Sequence, residues 1–284
     1  GAPLPDALPP GSLLATDPLS LAAASGSTAS QAKGSKAICD CWMCRQGLLP
    51  GNQARPLEGK TVSGNAGSVS GTTTTTLGSS VDLSRTFFLH SNPTATKTIY
   101  LDFNGHTTTG TAWNSNFGLS TINTTAYDFD GNVNAFSNAE LERIQFIWQR
   151  VAEDFAPFSI NVTTQDPGSD RLSKTGGSDS EWGIRAVFAA NQMNLLTGQR
   201  ITVSNPGSGG QTYIGSFNWG SDEPALIFIT TGSYDAAVAG AHEIGHNLGL
   251  RHQGSATTSY YSGHGGSAVT SWCPIMGAPY LDEI

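Results

Sequence analysis

The sequence predicts an α+β domain, one twisted mixed sheet packed on two helices, and three observations predict it. Ser137 with Glu140 forms a capping box, and behind it Leu141, Ile144, Trp148, Val151 and Phe155 recur at helical spacing until Pro157. A second helix is written in Ala236–Ala241, small residues that lead into the string AHEIGHNLGLRH. Short apolar runs at Thr98–Phe103, Phe158–Thr163, Ile184–Ala189 and Ala225–Thr230 read as strands. Strand, long helix, strands, helix and irregular chain is the order of a sheet that buries one face under helices.

Residues 1–85 carry no sustained periodicity and are rich in Pro, Gly, Ser, Ala and Thr, so they read as an extended arm or pro-segment. The folded domain is expected over 86–284. Within it, Tyr213–Phe217 reads either as an edge strand that binds an extended peptide by strand addition or as an ordinary hairpin strand.

Only 13% of the 284 residues are charged, and the net charge is −8. An acidic surface argues against nucleic acid or anionic membrane as partner. No run of about 18 apolar residues exists to span a bilayer. The opening GAPLPDALPP lacks the basic and apolar regions of a signal peptide, so an export signal is expected to have been removed or omitted. The composition suits a secreted, extracellular protein, and a monomer is expected.

Chemistry concentrates in His242, Glu243, His246, Gly249 and His252, the string HExxHxxGxxH. On a helix His242 and His246 lie one turn apart on one face, so both imidazoles reach one metal ion while Glu243 reaches a water on it. To bring His252 to the same ion the helix must stop and the chain turn back. Gly249 stands where a left-handed residue is needed. Three neutral imidazoles leave zinc an open position for water, whose pKa falls from about 16 to about 7, and Glu243 is the base that takes its proton.

Beyond His252 comes the run Trp272, Cys273, Pro274, Ile275, Met276, Gly277. The long histidine string followed by a Met-containing turn resembles the metzincin zinc metallopeptidases, of the secreted bacterial reprolysin-like or matrixin-like type. The likeness runs from about Lys97 to Gly277 and is most specific from His242 to Met276. It implies an upper lobe with the sheet and zinc helix, a small lower lobe with the Met-turn, and a cleft between. Met276 is implied as an apolar floor beneath the histidines, not a ligand. Gln253 after the third histidine leaves the subfamily open, and Ala278 stands where some families place a transition-state tyrosine, so Tyr280 is assigned no such role. The resemblance implies a further helix after the Met-turn, so the domain is expected to be truncated at Ile284 or to have lost downstream domains.

Four cysteines remain. Cys39, Cys41 and Cys44 cluster in the arm, and Cys273 lies three residues before Met276. A disulfide staple is one reading, with Cys39 to Cys44 or Cys41 to Cys44 as local pairs or the cluster clipped to Cys273. Another makes Cys39, Cys41 or Cys44 an inhibitory zinc ligand in a latent zymogen, although the fuller matrixin motif is missing. A separate small metal site is the third.

Asp128, Asp130 and Asn132 in YDFDGN offer oxygens to Ca2+, or form a tight Asp-Gly turn. Asp166 and Asp170 read as solvated. His90, His106 and His264 have no partner at ligand spacing, and His264 is the one nearest the expected cleft. The favoured expectation is a zinc endopeptidase acting on protein or peptide substrates. A zinc hydrolase of another amide or ester and a catalytically silent binding module are the alternatives, the latter opposed by the intact Glu243.

Overall fold

The computed structural model describes residues 38–40, 81–132, 134–189, 193–194, 200–201, 209–228, 232–264 and 272–278. Strand β1, Ile38–Asp40, comes from the arm. It is followed by β2 (Lys97–Asp102), β3 (Thr107–Thr108), helix α1 (Ala112–Phe117), β4 (Ile122–Asn123), helix α2 (Asn138–Asp154), β5 (Ile160–Thr163) and β6 (Trp182–Phe188). Then come β7 (Met193–Asn194), β8 (Arg200–Ile201), β9 (Gly210–Tyr213), β10 (Ala225–Ile227) and helix α3 (Ser233–Asn247).

The main sheet has the order β1-β9-β10-β6-β2-β5. Strands β10, β6, β2 and β5 are parallel, while β9 runs antiparallel to β10 and β1 antiparallel to β9. The fold is therefore mixed α/β with a largely parallel sheet. A second small sheet, β3-β4-β7-β8, was not foreseen from the sequence.

Both long helices cover one face of the main sheet. Ile99, Leu101 and Phe103 point from the β2 side into the same core as Ile184, Ala186 and Phe188, and meet Ile144, Ile147 and Val151 of α2 and Ala236, Ala237 and Ile244 of α3. Each large side chain fully buried there contributes roughly 1.5–3 kcal/mol. The small residues of α3 let its backbone come close to the strands, which is what carries the histidines into the interior.

Helix α2 starts as its capping box predicts: Ser137 accepts from the Glu140 N–H, and the Glu140 carboxylate accepts from the Ser137 N–H at 2.9 Å. Glu140 is buried and also accepts from Phe129 N at 2.8 Å, so the cap ties down the preceding loop as well. The opposite face of the sheet packs Val187, Leu226 and Tyr213 against Trp113 of α1 and Ile122 of β4. On that face Arg185 is buried between two carboxylates, bonding Asp102 at 2.6 Å and Asp222 at 2.8 Å.

Several boundaries differ from expectation. The strand expected from Phe158 begins at Ile160, because Phe158 is still in the turn that closes α2 and is exposed. The boundary placed at residue 85 falls inside the 3-10 turn Leu83–Phe88, where Thr86 and Asp82 accept from Gln145 of α2 and Phe87 packs on Phe136. The strand expected at Tyr213–Phe217, as an edge or as an ordinary hairpin strand, lies earlier, at Gly210–Tyr213, and is not an edge, since β1 and β10 flank it. Gly215 takes a left-handed conformation at φ 74° and turns Ser216–Asn218 into 3-10 helix. No described helix is long and apolar enough to cross a membrane.

Candidate metal centre

Helix α3 carries His242, Glu243 and His246, all buried at 0–1% exposure. It ends at Asn247 with Leu248 as its C-cap, and Gly249 follows at φ 94°. The N–H of Leu250 donates to Gly245 O at 3.0 Å and that of Gly249 to His246 O at 2.9 Å, the paired bonds of a Schellman motif. This turn sends the chain back toward the helix. It also presents the Leu250 carbonyl to His246 Nδ1 at 2.8 Å.

His242 Nδ1 meets the Ile275 carbonyl at 2.7 Å. A carbonyl only accepts, so both imidazoles carry their proton on Nδ1 and turn the Nε2 lone pair away. Those lone pairs converge: His246 Nε2 lies 3.1 Å from His242 Nε2 and 3.0 Å from His252 Nε2. Between two deprotonated nitrogens such a contact is repulsive and is no hydrogen bond. A shared cation turns it into coordination. Ligands held about 2.0–2.1 Å from zinc at tetrahedral angles stand roughly 3.3–3.4 Å apart, close to the spacing found. The donor set therefore fits zinc, with carbonyls behind two rings as orienting partners.

The lower part of the centre is laced by backbone. Gln253 N donates to Met276 O at 2.8 Å, Tyr261 N to Gln253 O at 2.6 Å, and Ala278 N to Tyr261 O at 2.9 Å. Cys273 is buried, with its Sγ donating to the Tyr261 carbonyl at 3.2 Å. Met276 is buried against Gly245, between the two helix histidines. A Cβ on Gly245 would stand only 2.5 Å from Met276 Sδ.

Strand β9 runs along the other side of the helix. A Cβ on Gly210 would meet Glu243 Cγ at 2.5 Å and Oε1 at 2.7 Å, so the strand backbone presses on the carboxylate side chain. Gly215 N donates to His246 O at 2.9 Å. Buried Asn247, the next residue, donates through Nδ2 to Thr212 Oγ1 and to Ser216 Oγ at 2.7 Å. Helix and strand are thus locked in register at the point where the histidines converge.

Sequence reasoning missed Asn247, Tyr260 and the carbonyls of Leu250 and Ile275. The Tyr260 ring packs on His252 with centroids 4.1 Å apart. A carbonyl carries no sequence signature, and nothing in a single sequence says which tyrosine meets a histidine.

The other candidates lie apart from this cluster. Oxygens of Asp128, Asp130 and Glu140 fall near one another, but Asp128 accepts from Gly131 N at 2.7 Å and Asp130 from Asn132 N at 2.9 Å. These are the bonds of a tight Asp-Gly turn. His90 bonds Gln165 at 2.9 Å and Asn161 at 3.0 Å, and His264 Nδ1 meets the Tyr261 hydroxyl at 2.6 Å. His106 is held neutral, its pKa pushed down to about 3 by burial first and by the Arg185 cation second. Asp166 accepts from Gly168 N in an exposed loop. Cys41, Cys44 and Tyr280 fall outside the described residues, and of Cys39 only the backbone in β1 is described.

No protein-family model, curated protein or solved structure matches this chain.

Proposed function

We propose that this chain is a secreted zinc-dependent endopeptidase of metzincin type, with Glu243 as general base. The observation that carries the reading is the convergence of three Nε2 atoms from His242, His246 and His252, two of them with Nδ1 committed to a carbonyl, beside a buried glutamate. Zinc held by these nitrogens would polarise a peptide carbonyl and bring the pKa of water from about 16 to about 7.

The residues of the chain then divide the work. Glu243 takes the proton from the attacking water and hands it to the departing amine, and its position in the protein interior strengthens its electrostatic influence on both. The Ile275 and Leu250 carbonyls keep the His242 and His246 rings in the tautomer that presents Nε2. Met276, set against Gly245, gives the histidines a dry apolar support. Strand β9 lies beside Glu243 with both edges paired, so a peptide extended along it would have to take the place of β1 to bring its bonds past the carboxylate.

The test is Glu243→Ala. Zinc should remain bound at one equivalent, while hydrolysis of a peptide library falls by about 10²–10⁴-fold, the usual worth of a positioned base. Full activity in that variant removes the assigned role. Small amide and ester substrates run in parallel separate a peptidase from a hydrolase of other compounds.

A further inference from the structure

The three histidines of the centre are not held alike. His242 and His246 stand on α3, wholly buried, each with a carbonyl behind its ring. His252 lies beyond the end of that helix and is only half-buried. The turn at Gly249 sets the path of its backbone, while the ring can still turn about its side-chain bonds.

The chain then returns to that ring. Gln253 and Tyr261 close a tight loop, with Tyr261 N donating to Gln253 O at 2.6 Å and Ser255 N to Thr258 O at 2.8 Å. Gly254 makes the close approach possible, because a Cβ there would press into the Thr258 carbonyl oxygen and stand 2.7 Å from Ser259 C. Residues 253–259 are exposed, yet Tyr260, the last before the loop closes, is buried. It belongs to neither apolar cluster that flanks the main sheet. What it covers is His252. The two ring centroids are 4.1 Å apart at an angle of 36°, closer than His252 lies to His246, at 4.7 Å, or to His242, at 5.1 Å.

We infer that Tyr260 is a positioning residue for the third ligand: its ring holds the His252 imidazole at the angle that aims Nε2 at the point shared with His242 and His246. This rests on the zinc part of the function proposed above and is independent of the substrate. Two physical effects act together. Packing against a flat ring restricts the His252 ring plane, so its rotational freedom is lost in folding rather than on binding. The face of a phenol is also electron-rich, and it attracts an imidazole more strongly once that imidazole shares the charge of a bound cation. Both effects favour the occupied site. Partners that orient a ligand from behind are worth about 10–100-fold in metal affinity.

The test uses the whole chain, as Tyr260→Phe, which keeps the ring, and Tyr260→Leu, which keeps apolar bulk without it. Tyr260→Met, unbranched and adaptable, is carried alongside so that a folding failure of one leaves the other to decide. Competition titration with a chelator reads zinc affinity, and urea unfolding of the chelated protein reads stability. The expected result is zinc affinity lower by about tenfold in Tyr260→Leu and Tyr260→Met, and within about twofold of wild type in Tyr260→Phe. A residue that only fills space would lower the stability of the chelated protein and leave the affinity of the folded form unchanged, which overturns the inference. So does unfolding of both the Leu and Met variants once chelated. An affinity lost equally in Tyr260→Phe overturns it too, since the effect then belongs to the hydroxyl.

Cobalt in place of zinc shows which ligand moves. Ring protons of histidines bound to cobalt(II) are shifted out of the main proton spectrum and are resolved separately. One set of the three should move in Tyr260→Leu while the other two keep their wild-type positions; movement of all three, or of none, refutes a role confined to His252. A wild-type chain that takes up no zinc removes the metal reading and this inference with it. A wild-type chain that binds zinc, and loses no affinity on substitution, leaves that reading standing and removes only the role of Tyr260.

Discussion

Replacing Gly245 by alanine sets two physical effects of opposite sign against each other. Gly245 is inside α3, where alanine is favoured over glycine by about 1 kcal/mol, so local propensity predicts stabilisation. The added Cβ, however, would lie 2.5 Å from Met276 Sδ, with Met276 Cε at 3.5 Å and Leu250 Cδ1 at 3.6 Å. Comfortable contact between such atoms is about 3.5–4.0 Å, so the sulfur must retreat by roughly 1 Å. Met276 is buried and neighbours Ile275, whose carbonyl orients His242 at 2.7 Å, so the displacement is resisted on both sides. Overpacking of this degree costs about 1–3 kcal/mol. The net expectation is a destabilisation of about 0–2 kcal/mol, with zinc affinity reduced about tenfold through the disturbed Ile275 carbonyl. Urea unfolding of the chelated protein and zinc competition titration measure the two quantities separately. The decisive step is the double variant: with Met276→Ala the obstruction is gone, and adding Gly245→Ala should then stabilise by about 1 kcal/mol. An increase in stability from Gly245→Ala alone, with zinc affinity unchanged, would falsify the tight packing of Met276 against Gly245.

Gly249→Ala isolates backbone strain, since nothing stands within 4 Å of the new Cβ and only the φ of 94° opposes it. It should cost about 1–2 kcal/mol and weaken zinc binding, because the turn delivers both the Leu250 carbonyl and His252. A melting temperature and zinc affinity equal to wild type would show that the turn does not need glycine. Removing the metal by chelation should lower the unfolding temperature, and restoring zinc in hundredfold excess over its Kd should return about 2.7 kcal/mol. A scan indifferent to zinc would disprove a site formed only in the folded state. His106 has a folded pKa near 3 against about 6.5 unfolded, so the unfolded chain takes up the proton first as pH falls. Its contribution is whole above pH 6.5 and is lost toward pH 3, on the order of 1 kcal/mol per unit. The pH slope of unfolding free energy should be shallower in His106→Gln over that window, and identical slopes would contradict a half-buried neutral imidazole.

Local signals in the chain carried the elements whose causes are local. Ser137 and Glu140 announced α2 because a capping box is a contact between residues three apart, and the apolar stripe behind it has the helical period. Gly249 announced the turn because a left-handed residue asks for glycine. Helix α1 was passed over: its box pairs Thr111 with Asn114 rather than with Glu or Gln, and six residues hold too little periodicity to notice. The two-residue strands of the second sheet gave no pattern at all, since alternation needs length.

By itself the sequence determined which side chains can gather at a metal and where the helix bearing them must end, because both follow from spacing along one helix and one turn. Tertiary structure alone decided which carbonyls fix the imidazole tautomers, that Asn247 joins the helix to β9, and that Ile38–Asp40 becomes the sheet's outermost strand. These contacts join residues far apart in the chain. Backbone groups are the same at every position, so their pairing is set by how the layers pack and leaves no mark in the order of the amino acids.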